Sequence, residues 1–278
     1  WDYRLQIDFA GVPKILDMII GYKPKDWLRI QAGQFKIPFS LENLTPSHKM
    51  EFIDRSQVVE ALVARNRDII GNQNGRDIGL QMSGSIFKLN DHYLLDYFVA
   101  TFDGQGIILF DLNEMKDLSG RILFHPLPGL DIGGAYYSGY DVISSKNTVR
   151  NRSGLEAAYT IQDFSFKGEY IHGIDRPKDA AVQTQREGYY AQATYFFLKH
   201  HLQACLKYDF YDPNTSVPNY TGNPSNTNDA ATYYIIGLNA FFNEYTKLYF
   251  NYSYRRSLDN QSHQINKDLI SAQIQIGF

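Results

Sequence analysis

The chain has 278 residues, of which 44% are hydrophobic and 15% aromatic, and its formal net charge is −3. Mean hydropathy is −0.37, and no apolar run approaches the roughly 18 residues of a membrane helix, so a helical membrane protein is excluded. The charge supplies no basic field for nucleic acid, and the single cysteine, Cys205, allows no internal disulfide and fits no metal spacing. Length alone permits one large β domain or two smaller ones. Tyr (21) and Phe (18) far outnumber Met (4), which favours strands with one wet and one apolar face over a helical core.

Taken in chain order, residue 1 is a Trp already inside a strand pattern, so a secretory signal peptide is expected ahead of it in the full gene product. Residues 1–10 alternate between apolar and polar, and the pattern recurs at 152–162, 164–173 and 188–198. Further on, Leu202, Ala204, Leu206, Tyr208 and Phe210 oppose Gln203, Cys205, Lys207 and Asp209. Leu248, Phe250, Tyr252 and Tyr254 likewise oppose Tyr249, Asn251, Ser253 and Arg255. The last stretch sets Ile270, Ala272, Ile274, Ile276 and Phe278 against Ser271, Gln273, Gln275 and Gly277. About fourteen such segments of roughly ten residues are present, the length at which a tilted strand spans a bilayer. One strand does not separate a soluble sandwich from a membrane barrel, but the repetition favours a barrel with apolar residues on lipid and polar residues in the lumen.

The connections alternate in length. Short ones fall near 24–26, 88–92, 127–129, 163, 199–201 and 243–246, and longer polar ones near 40–76, 103–116, 142–151, 174–186, 212–230 and 259–268. Tight turns at one end and long loops at the other characterise an outer-membrane barrel, with the turns and the C-terminal Phe278 in the periplasm. Tyr195, Phe197, Tyr208, Phe210, Phe242 and Tyr254 lie near strand ends, as in an aromatic girdle, although ordinary strand preference also places aromatics there.

Particular stretches carry a resemblance. Gly33-Gln-Phe-Lys-Ile-Pro-Phe39 with Leu41-Glu42, then Phe52-Ile-Asp-Arg-Ser56 and Arg76-Asp-Ile-Gly79, resemble the phosphate-selective porin O and P family. Asp103-Gly-Gln-Gly106, Asn113, Lys116-Asp117, Gly120-Arg121 and Pro126 look like the next hairpin of that family, so the likeness covers roughly 1–130. The resemblance implies an all-β, transmembrane antiparallel β-barrel in the outer membrane of a Gram-negative bacterium. It implies sixteen strands in the full-length protein, with a first hairpin ahead of Trp1, and often a homotrimer. It also implies a long loop folded into the lumen and basic residues that conduct anions.

By position, 40–76 matches that constriction loop within a single barrel domain spanning 1–278, and Val58 to Arg65 has enough helix formers for a short helix packed on the wall. Lys49, Arg55, Arg65, Arg67 and Arg76 are its candidate solute contacts. Glu42, Glu51, Asp54, Glu60 and Asp68 balance them, five against five, so by count the loop is no anion trap. Arg55 reads equally as a pore residue or as an anchor paired with a wall carboxylate. Period two places Arg4, Arg29, Arg121, Lys167, Lys207 and Arg255 on the lumen face, with Asp8, Asp17, Asp96, Asp131, Glu156, Glu169 and Asp209. Opposed rows would make a transverse field across a wet pore, whereas pairs across strands would merely fill the wall. The mixture departs from a continuous arginine ladder, which favours a weakly selective porin for small hydrophilic solutes or inorganic anions over a phosphate-specific one.

Weaker signals are a lumen track of Tyr137, Tyr190, Tyr233 and Tyr249, an incomplete calcium-like run from Asp103 through Asp111 and Asn113, and the pair His200-His201. No cofactor is implied. An enzyme would need a nucleophile, a base and an orienting group together, and no Gly-x-Ser-x-Gly occurs. The remaining alternative is a structural barrel with a plugged lumen whose loops bind a partner such as a surface lipoprotein. Outer-membrane lipids are expected around the wall in either case.

Overall fold

A computed structural model describes residues 1–107, 115–143, 146–177, 183–198, 201–216, 230–243, 245–257 and 268–277. Among these, fourteen strands form one antiparallel sheet in which each strand pairs with the next in sequence. They are β1 (Asp2–Asp8), β2 (Lys14–Lys25), β3 (Leu28–Lys36), β4 (Arg76–Leu89), β5 (His92–Phe102), β6 (Asp117–Leu127) and β7 (Leu130–Ile143). The remainder are β8 (Lys146–Ile161), β9 (Phe164–Pro177), β10 (Thr184–Phe197), β11 (Leu202–Asp212), β12 (Ala231–Phe241), β13 (Thr246–Ser257) and β14 (Leu269–Ile276). Two short helices, α1 (Leu41–Leu44) and α2 (Gln57–Leu62), and a 3-10 turn at Ser47–Lys49 lie between β3 and β4. β1 and β14 are the two edges of the sheet and do not pair with each other.

The period-two wall is present as the sequence predicts, and all six short connections fall where expected, between β2 and β3, β4 and β5, β6 and β7, β8 and β9, β10 and β11, and β12 and β13. Met18, Ile20, Leu206, Ile236, Leu238 and Phe250 are exposed on the outer face, while Asp17, Lys207, Asn239 and Asn251 are buried on the inner one. Near the short turns Phe164 and Tyr195 stack at 4.5 Å, and toward the other rim a chain of rings runs from Tyr189 through Tyr208 and Tyr234 to Tyr254. Phenol rings of this kind suit the lipid headgroup level, one end apolar and the other wet.

Two of the expected long connections are shorter than the sequence predicts. β7 and β8 run through 142–151 and leave only residues 144–145 between them, and β9 and β10 leave 178–183. The polar stretch around Arg150 and Arg152 reads as a loop because it lacks apolar alternation. Both arginines point inward, and inside they find Asp68, Asp117 and Asp175, which removes the need for an apolar partner. The expected loops at 212–230 and 259–268 and the terminal Phe278 lie largely or wholly outside the described residues.

The apolar core sits between wall and loop. Val58, Val59, Ala61 and Leu62 of α2 are fully or almost fully withdrawn from solvent and join Phe35, Ile37, Phe39, Phe102, Tyr137 and Ile171 in one cluster. Gly188 makes this approach possible: a Cβ there would stand 2.8 Å from Val58 Cβ, so a side chain would lift α2 off β10. Gly33 does the same for β3, since its φ of +126 and the nearby Met18 carbonyl leave no room for an L side chain.

Candidate functional site

Loop 37–75 packs against the inner face of the sheet, where the inward fold of 40–76 is expected, and is tied to wall residues at several points. Glu42 on α1 meets Lys207 of β11 at 2.7 Å, and Glu51 pairs with Lys167 of β9. Lys247 donates to Met50 O at 2.9 Å, Asn239 to Glu51 O at 2.8 Å, and Asn251 Oδ1 accepts Ile53 N at 2.9 Å. Arg152 donates to Leu62 O, the last carbonyl of α2, at 3.1 Å and reaches Asp68 at 3.5 Å, with Arg150 at 3.7 Å from the same carboxylate. Burial alone would raise the pKa of Glu42, but Lys207 and the donors of Ser56 outweigh it and hold the carboxyl below its ordinary value. Asp68 follows the same logic, with burial overcome by Arg150 and Arg152.

Two half-buried cations beside the loop, Lys36 and Arg55, have no carboxylate within 4.0 Å among the described residues. Lys36 Nζ donates to the carbonyls of Asn43, Leu44 and Thr45 at 2.7, 3.4 and 3.1 Å. Arg55 donates to Glu42 O at 3.2 Å and to the same Thr45 O at 3.1 Å. Among the described residues neither makes an ion pair within 4.0 Å. Lys36 and Leu44 line a cavity of about 430 Å³ shared with Arg4, Asp17 and Arg29, and Arg55 lines a second of about 310 Å³ with Asp54, Glu60, Arg67 and Arg255. The Thr45 carbonyl thus accepts from both cations, which line separate cavities. Arg65 adds charge behind them: it is held by Asn43 Oδ1 at 2.8 Å, and burial, then the neighbouring Arg55, push it down to about 10.

The predicted solute contacts separate into groups. Arg55, Arg67 and Arg255 share the second cavity, where Arg255 stacks over the Tyr233 ring at 5.0 Å. Arg29 faces the first cavity and bonds Asp2 at 2.5 Å, and Arg76 is buried on Asp17 at 2.7 Å. Arg121 is buried against Glu156 and Lys207 against Glu42, and the half-buried Lys167 pairs with Glu51, so these three tie the wall or the loop. Lys49 is exposed on the 3-10 turn. Of the two readings of Arg55, pairing with a wall carboxylate is not what it does: its partners are carbonyls of its own loop.

Lys36 is absent from the residues singled out by pattern. Counting by two from Arg29 puts it on the lipid side, but it is the last residue of β3, where the chain turns into the lumen and takes the side chain with it. Of the weaker candidates, Tyr137, Tyr190 and Tyr249 are buried with their hydroxyls on Asp117, Glu169 and Met50 O, so they form no open track. Asp111, Asn113 and His200 lie outside the described residues, among which no group of three or more His, Cys, Asp or Glu is placed to hold a metal ion.

Comparison with known proteins adds to this geometry. The family model described as phosphate-selective porin O and P matches residues 1–100 and 138–278. The match omits 101–137, where the second set of look-alike stretches lies, and instead covers the C-terminal half that agreed in pattern only. No curated protein sequence matches the chain. Among solved structures, an anion-selective porin from Comamonas acidovorans is similar at 12% identity with a TM-score of 0.67, over 98% of this chain and 83% of that one. OmpT of Vibrio cholerae in a trimer form is similar at 11% identity and 0.60, over 98% and 81%. Salmonella typhi OmpF in complex with daunomycin is similar at 13% identity and 0.65, over 96% and 79%. At such identities the likeness is one of fold.

Proposed function

The chain belongs to the phosphate-selective porin O and P family and is an outer-membrane porin, and from that membership we propose that loop 37–75 narrows its passage and biases it weakly toward anions. The observation that carries the reading is the pair Lys36 and Arg55, which share Thr45 O, make no ion pair within 4.0 Å among the described residues and face separate cavities. A partly desolvated cation that makes no ion pair attracts small anions, which charge-assisted hydrogen bonds can then hold briefly. Asp2 and Asp17 across the first cavity and Asp54 and Glu60 in the second oppose these cations, which keeps the preference weak and argues against a dedicated phosphate site.

The reading extends to the assembly. Unpaired strand edges do not persist in lipid, which supports reading the sheet as the wall of a single closed barrel domain. The trimer form of the similar OmpT supports a homotrimer embedded in outer-membrane lipid. The rival, a plugged barrel that binds a surface lipoprotein, draws on how tightly α2 fills its side of the lumen.

Planar-bilayer recording decides. Wild type is expected to conduct, with a reversal potential on the anion side in a salt gradient, and Lys36→Gln and Arg55→Gln should each move it toward zero. A folded, heat-modifiable barrel without conductance would establish the rival. A wild-type reversal potential at zero, unmoved by either substitution, would leave a porin without anion preference.

A further inference from the structure

We propose that Glu169 on β9 is the positioning residue of the constriction: it seats one end of α1 and thereby fixes where Lys36 and Arg55 stand at the other. The proposal rests on the reading of those two cations given above.

Glu169 is buried, and the loop supplies most of what it needs. Its Oε1 accepts Leu41 N at 2.5 Å, and its Oε2 accepts Glu42 N and Ser40 Oγ, both at 3.1 Å. Tyr190 of β10 gives the fourth hydrogen bond, at 2.9 Å. The ionic groups around it are engaged elsewhere: Lys167 with Glu51, Lys207 with Glu42, and Glu156, directly opposite on β8, with Arg121. Among the described residues no basic group lies within 4.0 Å of Glu169, so its carboxylate is met by backbone and hydroxyl donors alone. Ser40 shows how firmly the seat is made. Its φ is 72, a left-handed backbone that non-glycine residues rarely adopt, and its Oγ also accepts Asn43 N at 3.1 Å.

The far end of the same helix carries the pore cations. The carbonyls of Asn43, Leu44 and Thr45 hold Lys36, and those of Glu42 and Thr45 hold Arg55. With four residues at about 1.5 Å of rise each, α1 is a rod about 6 Å long, and a shift at Glu169 is passed directly to Thr45 O. In Glu169→Gln one carboxylate oxygen becomes an NH₂ group facing N–H donors, which cannot satisfy them and pushes α1 away.

The sign of the effect separates positioning from plain charge. Removing a carboxylate from the lumen wall should, by Coulomb's law alone, raise the preference for anions. Loss of the seat should lower it, because Lys36 and Arg55 are no longer held together.

The test is the anion-to-cation permeability ratio from reversal potentials in a KCl gradient, measured on heat-modifiable barrels of wild type, Glu169→Gln, the Lys36→Gln/Arg55→Gln double variant and the triple. Glu169→Gln should lower the ratio toward that of the double variant, and the triple should match the double. Tyr190→Phe removes the one donor that is not part of the loop and should stay near wild type. A ratio that is unchanged or raised in Glu169→Gln while the double variant falls overturns the proposal alone, as does a Tyr190→Phe effect equal to that of Glu169→Gln. An unchanged double variant overturns the reading of the cations and the proposal with it. Should Glu169→Gln fail to fold, Ser40→Ala must lower the ratio by a smaller amount, and no change there overturns the proposal.

Discussion

The Lys207 ammonium meets Glu42 Oε1 at 2.7 Å across the boundary between wall and loop, with no solvent exposure of the lysine side chain. Phe52 and Tyr190 flank it, with ring centroids at 5.4 and 4.8 Å. The pair thus clamps α1 to β11 in a place from which water is excluded, and its two halves depend on each other.

Removing one partner leaves the other buried and uncompensated. Lys207→Gln should cost about 3–5 kcal/mol. Glu42→Gln combined with Lys207→Met should cost less than the sum of the single changes, because no charge is stranded. Denaturant unfolding in detergent, scored by heat-modifiable migration, measures both, and equal midpoints for wild type and Lys207→Gln would show that the pair holds nothing.

Acid should loosen the loop. Glu42 and Asp68 are both held below their ordinary values of 4.5 and 3.8, so their contribution is complete above those values and is lost as pH falls below them. Channel noise and closing events should therefore be few at pH 7 and rise below about pH 4. Asp68→Asn, which removes the loop carboxylate that Arg150 and Arg152 share, should show similar noise at pH 7. Identical records for wild type at pH 7 and in acid would count against these two anchors.

Arg121 offers a contrast with Lys36. It is buried on Glu156 and lies over the Phe98 ring at 5.5 Å, so its charge is spent inside the wall. Arg121→Ala is expected to lower stability by about 3–5 kcal/mol while leaving the reversal potential close to wild type. A large shift in selectivity with unchanged stability would place Arg121 in the pore after all.

Much of the architecture is written in short-range pattern. A period of two is a property of each strand by itself, so the inward Lys207 and Asp209 and the outward Leu206 and Tyr208 can be assigned without knowing their neighbours. The six tight turns follow in the same way, and the motif around Gly33 and Phe39 points to the family before any contact is known.

What each charge does was decided only in three dimensions. Arg121, Arg55 and Lys36 look alike as sequence letters, and their roles differ because one found a buried carboxylate, one found carbonyls of its own loop, and one turned inward at a strand end. The polar run at Arg150 became strand because Asp68, 82 positions earlier, came to lie beside it. Electrostatic pairing depends on distance through space, and loop 37–75 sets those distances by reaching strands far along the chain, so the wall and the place of the loop were legible in the sequence and the charge pairs inside the constriction were not.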